Sequence, residues 1–299
     1  MAFNGILLVD KSESVTSHDV VDSLRRILKQ KDVGHAGTLD PLATGLLVCL
    51  VGEATKLSQF VVSDDKAYEV EIKLGVKTDS GDITGQVIQE KDAQHITKEL
   101  IQARLPELLG DLMLQVPIYS AIKIAGKKLY EYARDQKEVV LPLKLMVIKS
   151  AMITSFKPGY CTIELSCGKG TYVRSWAEKL GELLGVGATV SKLRRTRSGG
   201  FNIEQSQTVT KFSENETLAA EKLIPLADAL SDWPVLRLIG RDVDLVKNGQ
   251  IPRGIFGQLV DYPIKDGVKL INEQGSLLAV VVKDAKKGVK LGRVFETPA

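Results

Sequence analysis

The sequence predicts an α+β fold, and three observations support that reading. Segments with the period-two alternation of half-buried strands are mixed with segments of helical spacing, without strict β-α-β alternation. The 299 residues, 44% of them hydrophobic, suffice for a large core and allow one large domain or two unequal ones. After Ser231-Asp232-Trp233-Pro234 the pattern changes to short strand-like pieces, which favours two domains, 1–232 and 233–299.

Residues 5–9 form an apolar run ending in Asp10-Lys11 and predict a strand. Val20, Val21, Leu24, Ile27 and Leu28 share one helical face, with Ser17 placed as the cap and an end near Gln30. A glycine-punctuated loop, 34–45, follows, and Leu46 to Val51 read as a buried strand. Tyr68, Val70, Ile72 and Leu74 alternate with charged residues as in a half-buried strand, and Asp79-Ser80-Gly81-Asp82 supplies a turn. A strand restarts at Val87-Ile88, and Thr97 to Leu109 has helical spacing up to Gly110. Cys161, Ile163, Leu165 and Cys167 mark another strand face, broken by Gly168-Lys169-Gly170. Trp176, Leu180, Leu183 and Leu184 then mark an amphipathic helix ending at Gly185. Beyond the boundary, Val235 to Ile239, Val268 to Ile271, Leu277 to Val282 and Lys290 to Phe295 predict a small β-barrel or sandwich.

Three apolar-flanked cysteines without metal spacing read as reduced core residues. The start of the chain lacks a secretory pattern and no apolar run is long enough to span a membrane, so a soluble, cytoplasmic protein is expected. The net charge of +3 conceals a net of +8 over residues 111–200 against −5 over 1–110, a distribution that suits a polyanion or an unevenly charged surface. Phosphate-loop, dinucleotide and nucleophile-elbow motifs are absent, and the three histidines lack metal spacing, which argues against ATP hydrolysis, hydride transfer and zinc chemistry.

Four features carry candidate chemistry. In the loop from Gly34 to Gly45, Pro41 biases Asp40 towards extended backbone and displays its carboxylate as a nucleophile or base; the same residues also read as a plain chain reversal. Arg174, where a strand gives way to a helix, suits a carboxylate or a phosphate, or is an ordinary exposed arginine. Lys192, Arg194, Arg195 and Arg197 form a basic run, read equally as phosphate contacts or a solvated face. Tyr119, Lys123, Lys127, Lys128, Tyr130, Tyr132 and Arg134 interleave aromatics with cations, as in proteins that grip unpaired RNA bases, or as half-buried helix residues.

Taken together, Gly34-His35-Ala36-Gly37-Thr38-Leu39-Asp40-Pro41-Leu42-Ala43-Thr44-Gly45 resembles the catalytic motif of the TruB family of tRNA pseudouridine synthases. Lys66 to Val70, Leu74 to Asp79, Lys127 to Arg134, Cys167 to Arg174 and Leu193 to Gly199 are similar to further family blocks in family order. The resemblance covers about residues 5–203. The last 65 or so residues are similar to a PUA-type RNA-binding module, mainly by length, position and Leu291 to Phe295.

The resemblance implies a mixed, largely antiparallel catalytic sheet followed by a PUA-like barrel, and an isomerase that converts uridine 55 of the tRNA T loop to pseudouridine. Asp40 would be the nucleophile, since an aspartate needs no base to activate it, and net isomerisation calls for no cofactor or metal. By motif position, Arg174 would pair with Asp40, Asp82 would join them, and Tyr68 would stack on the uracil; Tyr68 and Asp40 are both candidates for the C5 proton step. His35 would fill the gap left by the extruded base. Tyr172 and Leu193 would line the pocket, with Lys56 near it. Lys123, Lys127, Lys128 and Arg134 would grip RNA from an insertion at about 117–145, and Arg194 and Arg195 would contact phosphates. The partner implied is the tRNA T stem-loop, with no membrane and no obligate protein partner. Two departures stand out. Where family members often have Thr-Asp-Thr followed by an aspartate two residues on, this chain reads Thr78-Asp79-Ser80-Gly81-Asp82, with a glycine that loosens the turn, and the C-terminal module lacks an aromatic-rich face, which leaves RNA contact there to Lys283 to Lys290 and Arg293. Two rival readings share these residues: a relative acting on another RNA uridine, alone or guided, and a non-catalytic RNA-binding protein.

Overall fold

The computed structural model of the protein describes residues 3–61, 65–135, 137–215, 217–261 and 267–296; Gln136 of the expected insertion, and 262–266 and 297–299 of the expected C-terminal domain, lie outside them. The chain opens with strand β1 (Gly5–Lys11), helix α1 (Ser17–Leu28), a short strand β2 (Val33–His35) and strand β3 (Thr44–Val51). β1 and β3 pair antiparallel from Gly5↔Val51 to Lys11↔Gly45. Alternation sends Leu7, Val9, Leu47 and Cys49 into one apolar cluster and Ile6, Leu8, Leu46 and Val48 into another. Both faces are covered, which is why these strands read as unbroken apolar runs.

Two local expectations change. Thr16, not Ser17, caps α1: it accepts from the Asp19 amide while the Asp19 carboxylate takes the Thr16 amide at 2.8 Å. The loop expected over 34–45 is shorter, because β2 pairs with β3 and β3 starts at Thr44.

Next come α2 (Ser58–Val61), β4 (Lys66–Leu74), β5 (Val76–Thr78), β6 (Val87–Glu90), α3 (Lys98–Arg104) and β7 (Gly110–Gln115). Between β7 and the long strand β10 (Leu143–Lys157) the chain makes a small hairpin, β8 (Lys123–Ile124) with β9 (Lys127–Lys128), and a short helix α4 (Leu129–Arg134). Then follow β11 (Tyr160–Cys167), α5 (Val173–Leu183), β12 (Ala188–Ser198), β13 (Phe201–Asn202), α6 (Val209–Glu214) and α7 (Leu218–Lys222).

The main sheet runs β1-β3-β12-β4-β11-β10-β7, with β2 beside β3 and β13 beside β12. Its pairs are antiparallel except β3 with β12. That parallel junction sets Arg194 against Thr44 and Arg195 against Gly45, while the other edge of β12 sets Arg195 against Tyr68. Three segments distant in sequence therefore meet at one end of the sheet. One face is covered by α1 and α5 around Trp176, whose indole donates to the Leu108 carbonyl at 3.1 Å.

The C-terminal segment comprises β14 (Val235–Arg237), α8 (Arg241–Lys247), α9 (Arg253–Asp261), β15 (Val268–Ile271), β16 (Leu277–Asp284) and β17 (Gly288–Val294). Its strands form an open four-stranded sheet, β14-β15-β16-β17, with β14 and β15 parallel, so among the described residues no barrel closes. The two helices were not anticipated; Val246 and Leu259 pack them onto this sheet. Ile271, Leu277, Val280 and Phe295 in turn join the cluster of Leu46 and Leu50, and Trp233 meets Phe60 edge to face at 5.3 Å.

Candidate active site

The segment between β2 and β3 is pinned at several points. The Asp40 carbonyl accepts the Ala43 amide at 3.0 Å, closing a turn with Pro41 in its second position, where a fixed φ suits it. Ser17 donates to the Leu39 carbonyl (3.1 Å) and accepts the Leu39 amide (2.8 Å). The Pro41 carbonyl takes the Ser14 amide at 2.9 Å and Lys11 Nζ at 3.3 Å. Gly45, at φ +98°, lies so close to β12 that a Cβ there would come within 2.3 Å of the Arg195 carbonyl oxygen. A turn held this way presents the Asp40 carboxylate, 39% exposed, in one direction.

Facing it, β11 ends at Cys167, Gly170 turns the chain at φ +73°, and α5 begins one residue before Arg174. The Arg174 side chain is 6% exposed, and its guanidinium donates to the Ser80 carbonyl (2.9 Å) and the Tyr119 carbonyl (3.0 Å) and forms an ion pair with Asp40 Oδ2 at 2.9 Å. Asp82 Oδ2 lies 4.0 Å from Arg174 Nη1, while Asp82 Oδ1 accepts from Ser80 Oγ and the Thr84 amide, both at 3.0 Å. Gly81 accounts for the departure in this turn: at φ +75° it packs where a Cβ would sit 3.2 Å from Arg174 Cβ. The turn thus lies directly against α5.

Asp40, Tyr68, Tyr119, Tyr172, Arg174 and Leu193 wall a cavity of about 310 Å³, the lower end of the range for small-molecule pockets. A second, more polar cavity of about 380 Å³ lies across Arg174, between Pro41, Asp79 and Thr84. Burial pushes the hydroxyls of Tyr68 and Tyr172 above their ordinary range, so both are protonated at neutral pH. A carboxylate anchored by a buried cation beside an aromatic slot can act as an oriented nucleophile or base on a flat, base-sized ligand. Among the described residues no cluster of His, Cys, Asp and Glu could hold a metal ion.

Asp40, Arg174, Asp82, Tyr68, Tyr172 and Leu193 therefore converge. Others do not. Lys56 lies in a separate cleft with Lys247 and Phe295, paired to Glu53 at 2.6 Å, which corrects its expected position near the pocket. Arg195 is 1% exposed and spends its guanidinium on the carbonyls of Gly37, Thr38 and Leu46; buried this way it cannot reach a phosphate, which corrects the expected backbone contact. Arg194 pairs bidentately with Asp10 at 2.8 and 3.1 Å and stays partly exposed. His35 sits on β2 with Nδ1 buried and without a hydrogen-bond partner, and burial lowers its pKa, so the ring is neutral. In the insertion, Lys127 pairs with Asp135, Lys128 donates to the Tyr130 hydroxyl (3.1 Å), Arg134 stacks at 5.4 Å on Tyr130, and Lys123 begins β8.

Sequence reasoning missed Lys11. It is fully buried, donates to the carbonyls of Ser12, Val15 and Pro41, and has its pKa lowered by burial to about 8. The available signal was alternation: Lys11 falls on the same face of β1 as Leu7 and Val9, a core position.

The model of the TruB family pseudouridylate synthase N-terminal domain matches residues 25–173, and that of the tRNA pseudouridylate synthase B C-terminal domain matches 174–231. A relative from Bdellovibrio bacteriovorus called tRNA pseudouridine synthase B is 42% identical over 300 residues, covering 98% of this chain and 97% of the relative. One of the same name from Lactobacillus delbrueckii subsp. bulgaricus is 40% identical, covering 83% and 86%. Among solved structures, the archaeal box H/ACA sRNP Nop10-Cbf5 complex holds a chain similar in fold, with a TM-score of 0.72 at 21% identity, over 98% of this chain and 86% of that one.

Proposed function

The chain belongs to the TruB family of pseudouridine synthases, and on that premise we propose that it isomerises uridine 55 in the T loop of tRNA to pseudouridine, with Asp40 as nucleophile. The observation that carries this reading is the Asp40–Arg174 contact of 2.9 Å at the mouth of a cavity walled by Tyr68, Tyr172 and Leu193.

The reaction breaks the bond from C1′ to N1, turns the uracil and joins C1′ to C5. The proton lost from C5 is matched by one gained at N1, so no redox partner or cofactor is called for. Asp40 supplies the nucleophile, and Arg174 holds it and offsets its charge. Asp82 sits behind Arg174 and fixes its orientation. Tyr68 stacks on the uracil, with Tyr172 and Leu193 bounding the ring, and the Asp40 carboxylate, once released, takes the C5 proton. An unpaired loop nucleotide is cheaper to extrude than a paired one, and the neutral His35 ring suits the gap it leaves.

Residues 1–232 act as the catalytic domain. Lys123, Lys127, Lys128 and Arg134 on the insertion, with Arg194, grip the T stem-loop, and 233–299 add an RNA-binding module through Lys283 to Lys290 and Arg293. The enzyme works in the cytoplasm on tRNA without a protein partner.

Tritium release from a transcript labelled at uridine C5 tests the proposal. Release from a tRNA with uridine 55, lost when that position is cytidine, supports it. Release that survives the change moves the target to another uridine, and tight binding without release makes the protein an RNA binder only.

A further inference from the structure

Arg195 is among the largest fully buried side chains, yet among the described residues no carboxylate lies within ion-pair distance of it. A buried cation without a counter-ion is expensive, so its position calls for an explanation. Its hydrogen bonds supply one. Nε donates to the Leu46 carbonyl at 2.7 Å, Nη2 to Gly37 at 3.0 Å and Nη1 to Thr38 at 3.4 Å. These carbonyls flank the Asp40 turn on both sides in sequence, so one guanidinium ties the two ends of the loop together.

Tyr68 is the cross-strand partner of Arg195 on β4, so the two side chains leave the sheet side by side. A register shift between Arg195 and Arg197 marks a bulge at this point, a feature that commonly re-aims a side chain. Arg195 also contributes to the wall of the Asp40 cavity. A neutral strut could tie two carbonyls. Five donors in a rigid fork can hold three carbonyls on both sides of the loop at once.

We propose that Arg195 is a positioning residue that ties both ends of the Asp40 loop to the strand position opposite Tyr68, setting the separation between the nucleophile and the aromatic ring that faces it. This rests on the pseudouridine synthase reading of the site. Because Arg195 is buried, the effect belongs to the chemical step and not to RNA affinity, although the residue lies in a basic run.

The test uses Arg195→Lys, which keeps the charge but cannot span all the acceptors, and Arg195→Met, which keeps the bulk and loses the charge. Three quantities are read: the melting transition, the Kd for tRNA by filter binding, and the single-turnover rate of tritium release. Expected for Arg195→Lys is a cooperative melt, a Kd within about threefold of the parent and a rate lowered about 100-fold, the scale of an ångström-level misplacement. Arg195→Met is expected to be slower still, and if it does not fold, Arg195→Lys carries the test alone. A rate for Arg195→Lys within threefold of the parent overturns the proposal. So does a lost folding transition, or a Kd that rises in step with the fall in rate, since Arg195 would then be scaffold only. A parent protein that releases no tritium refutes the functional reading instead, and is distinguishable because no variant is needed to see it.

Discussion

Replacing Arg174 by methionine keeps an unbranched side chain in α5 but removes the charge that Asp40 and Asp82 face. Two hydrogen bonds to backbone carbonyls, a buried one at Ser80 and a part-buried one at Tyr119, are lost, each contributing roughly 1.5–3 kcal/mol when the donor is charged. The contact to Asp40 adds less, because that carboxylate is 39% exposed and water takes over the partnership. Asp82 keeps its bonds from Ser80 and Thr84, and methionine no longer has to desolvate a cation. The net destabilisation is about 2–4 kcal/mol, which for a chain of this length lowers Tm by roughly 3–6 °C. The chemical step loses more, since Asp40 is freed to rotate and its charge is no longer offset; a fall of about 10²–10⁴ in single-turnover rate is expected. The affinity for tRNA should stay within about threefold, because a side chain 6% exposed does not meet phosphate. The assay pairs tritium release under single turnover with filter binding and a thermal melt. A rate within tenfold of the parent, despite the drop in Tm, would refute the argument that Arg174 orients Asp40, and a Kd weakened as much as the rate would reassign Arg174 to RNA binding.

Two further outcomes follow from the same geometry. Lys11 has its pKa lowered to about 8 against 10.5 when unfolded, so between those values the unfolded chain holds more protons and this residue makes stability rise with pH. Tm measured from pH 8 to 10.5 should therefore climb in the parent relative to Lys11→Met, and parallel curves would place no titrating lysine there. Changing both Lys123 and Arg134 to glutamine removes two cations from the insertion, and the slope of log Kd against log salt should fall by about 1.4–1.8. An unchanged slope would take the insertion out of contact with RNA.

What could be read from the sequence, and what could not, follows from the range of the forces involved. The strands at 5–9, 46–51 and 161–167 were legible because alternation or an unbroken apolar run is a local property. Asp40 and Arg174 stood out for local reasons too: Pro41 stiffens one, and a strand-to-helix turn frames the other. Their separation in space was not legible, because it depends on β3 running parallel to β12 and on the Tyr119 segment folding over α5. Arg194 and Arg195 show the limit most clearly. They are adjacent in one basic run, yet one remains half exposed on Asp10 and the other is buried under the Asp40 loop, a difference set by which face of β12 each occupies. Lys56 was misplaced because a lysine after β3 carries no sign of the C-terminal strand that closes over it. The helices α8 and α9 escaped notice because Gly240, Gly249 and Pro252 bound segments too short for a clear period.

The most direct test of the account replaces Asp40 by asparagine, which keeps the size of the side chain and its place beside Arg174 while removing the charge. Tritium release from a uridine 55 transcript should be abolished, tRNA affinity should stay within about threefold of the parent, and the melting temperature should hold, since that side chain is partly exposed and bears little of the fold. Release at a rate near that of the parent would contradict the account and remove Asp40 from the chemistry.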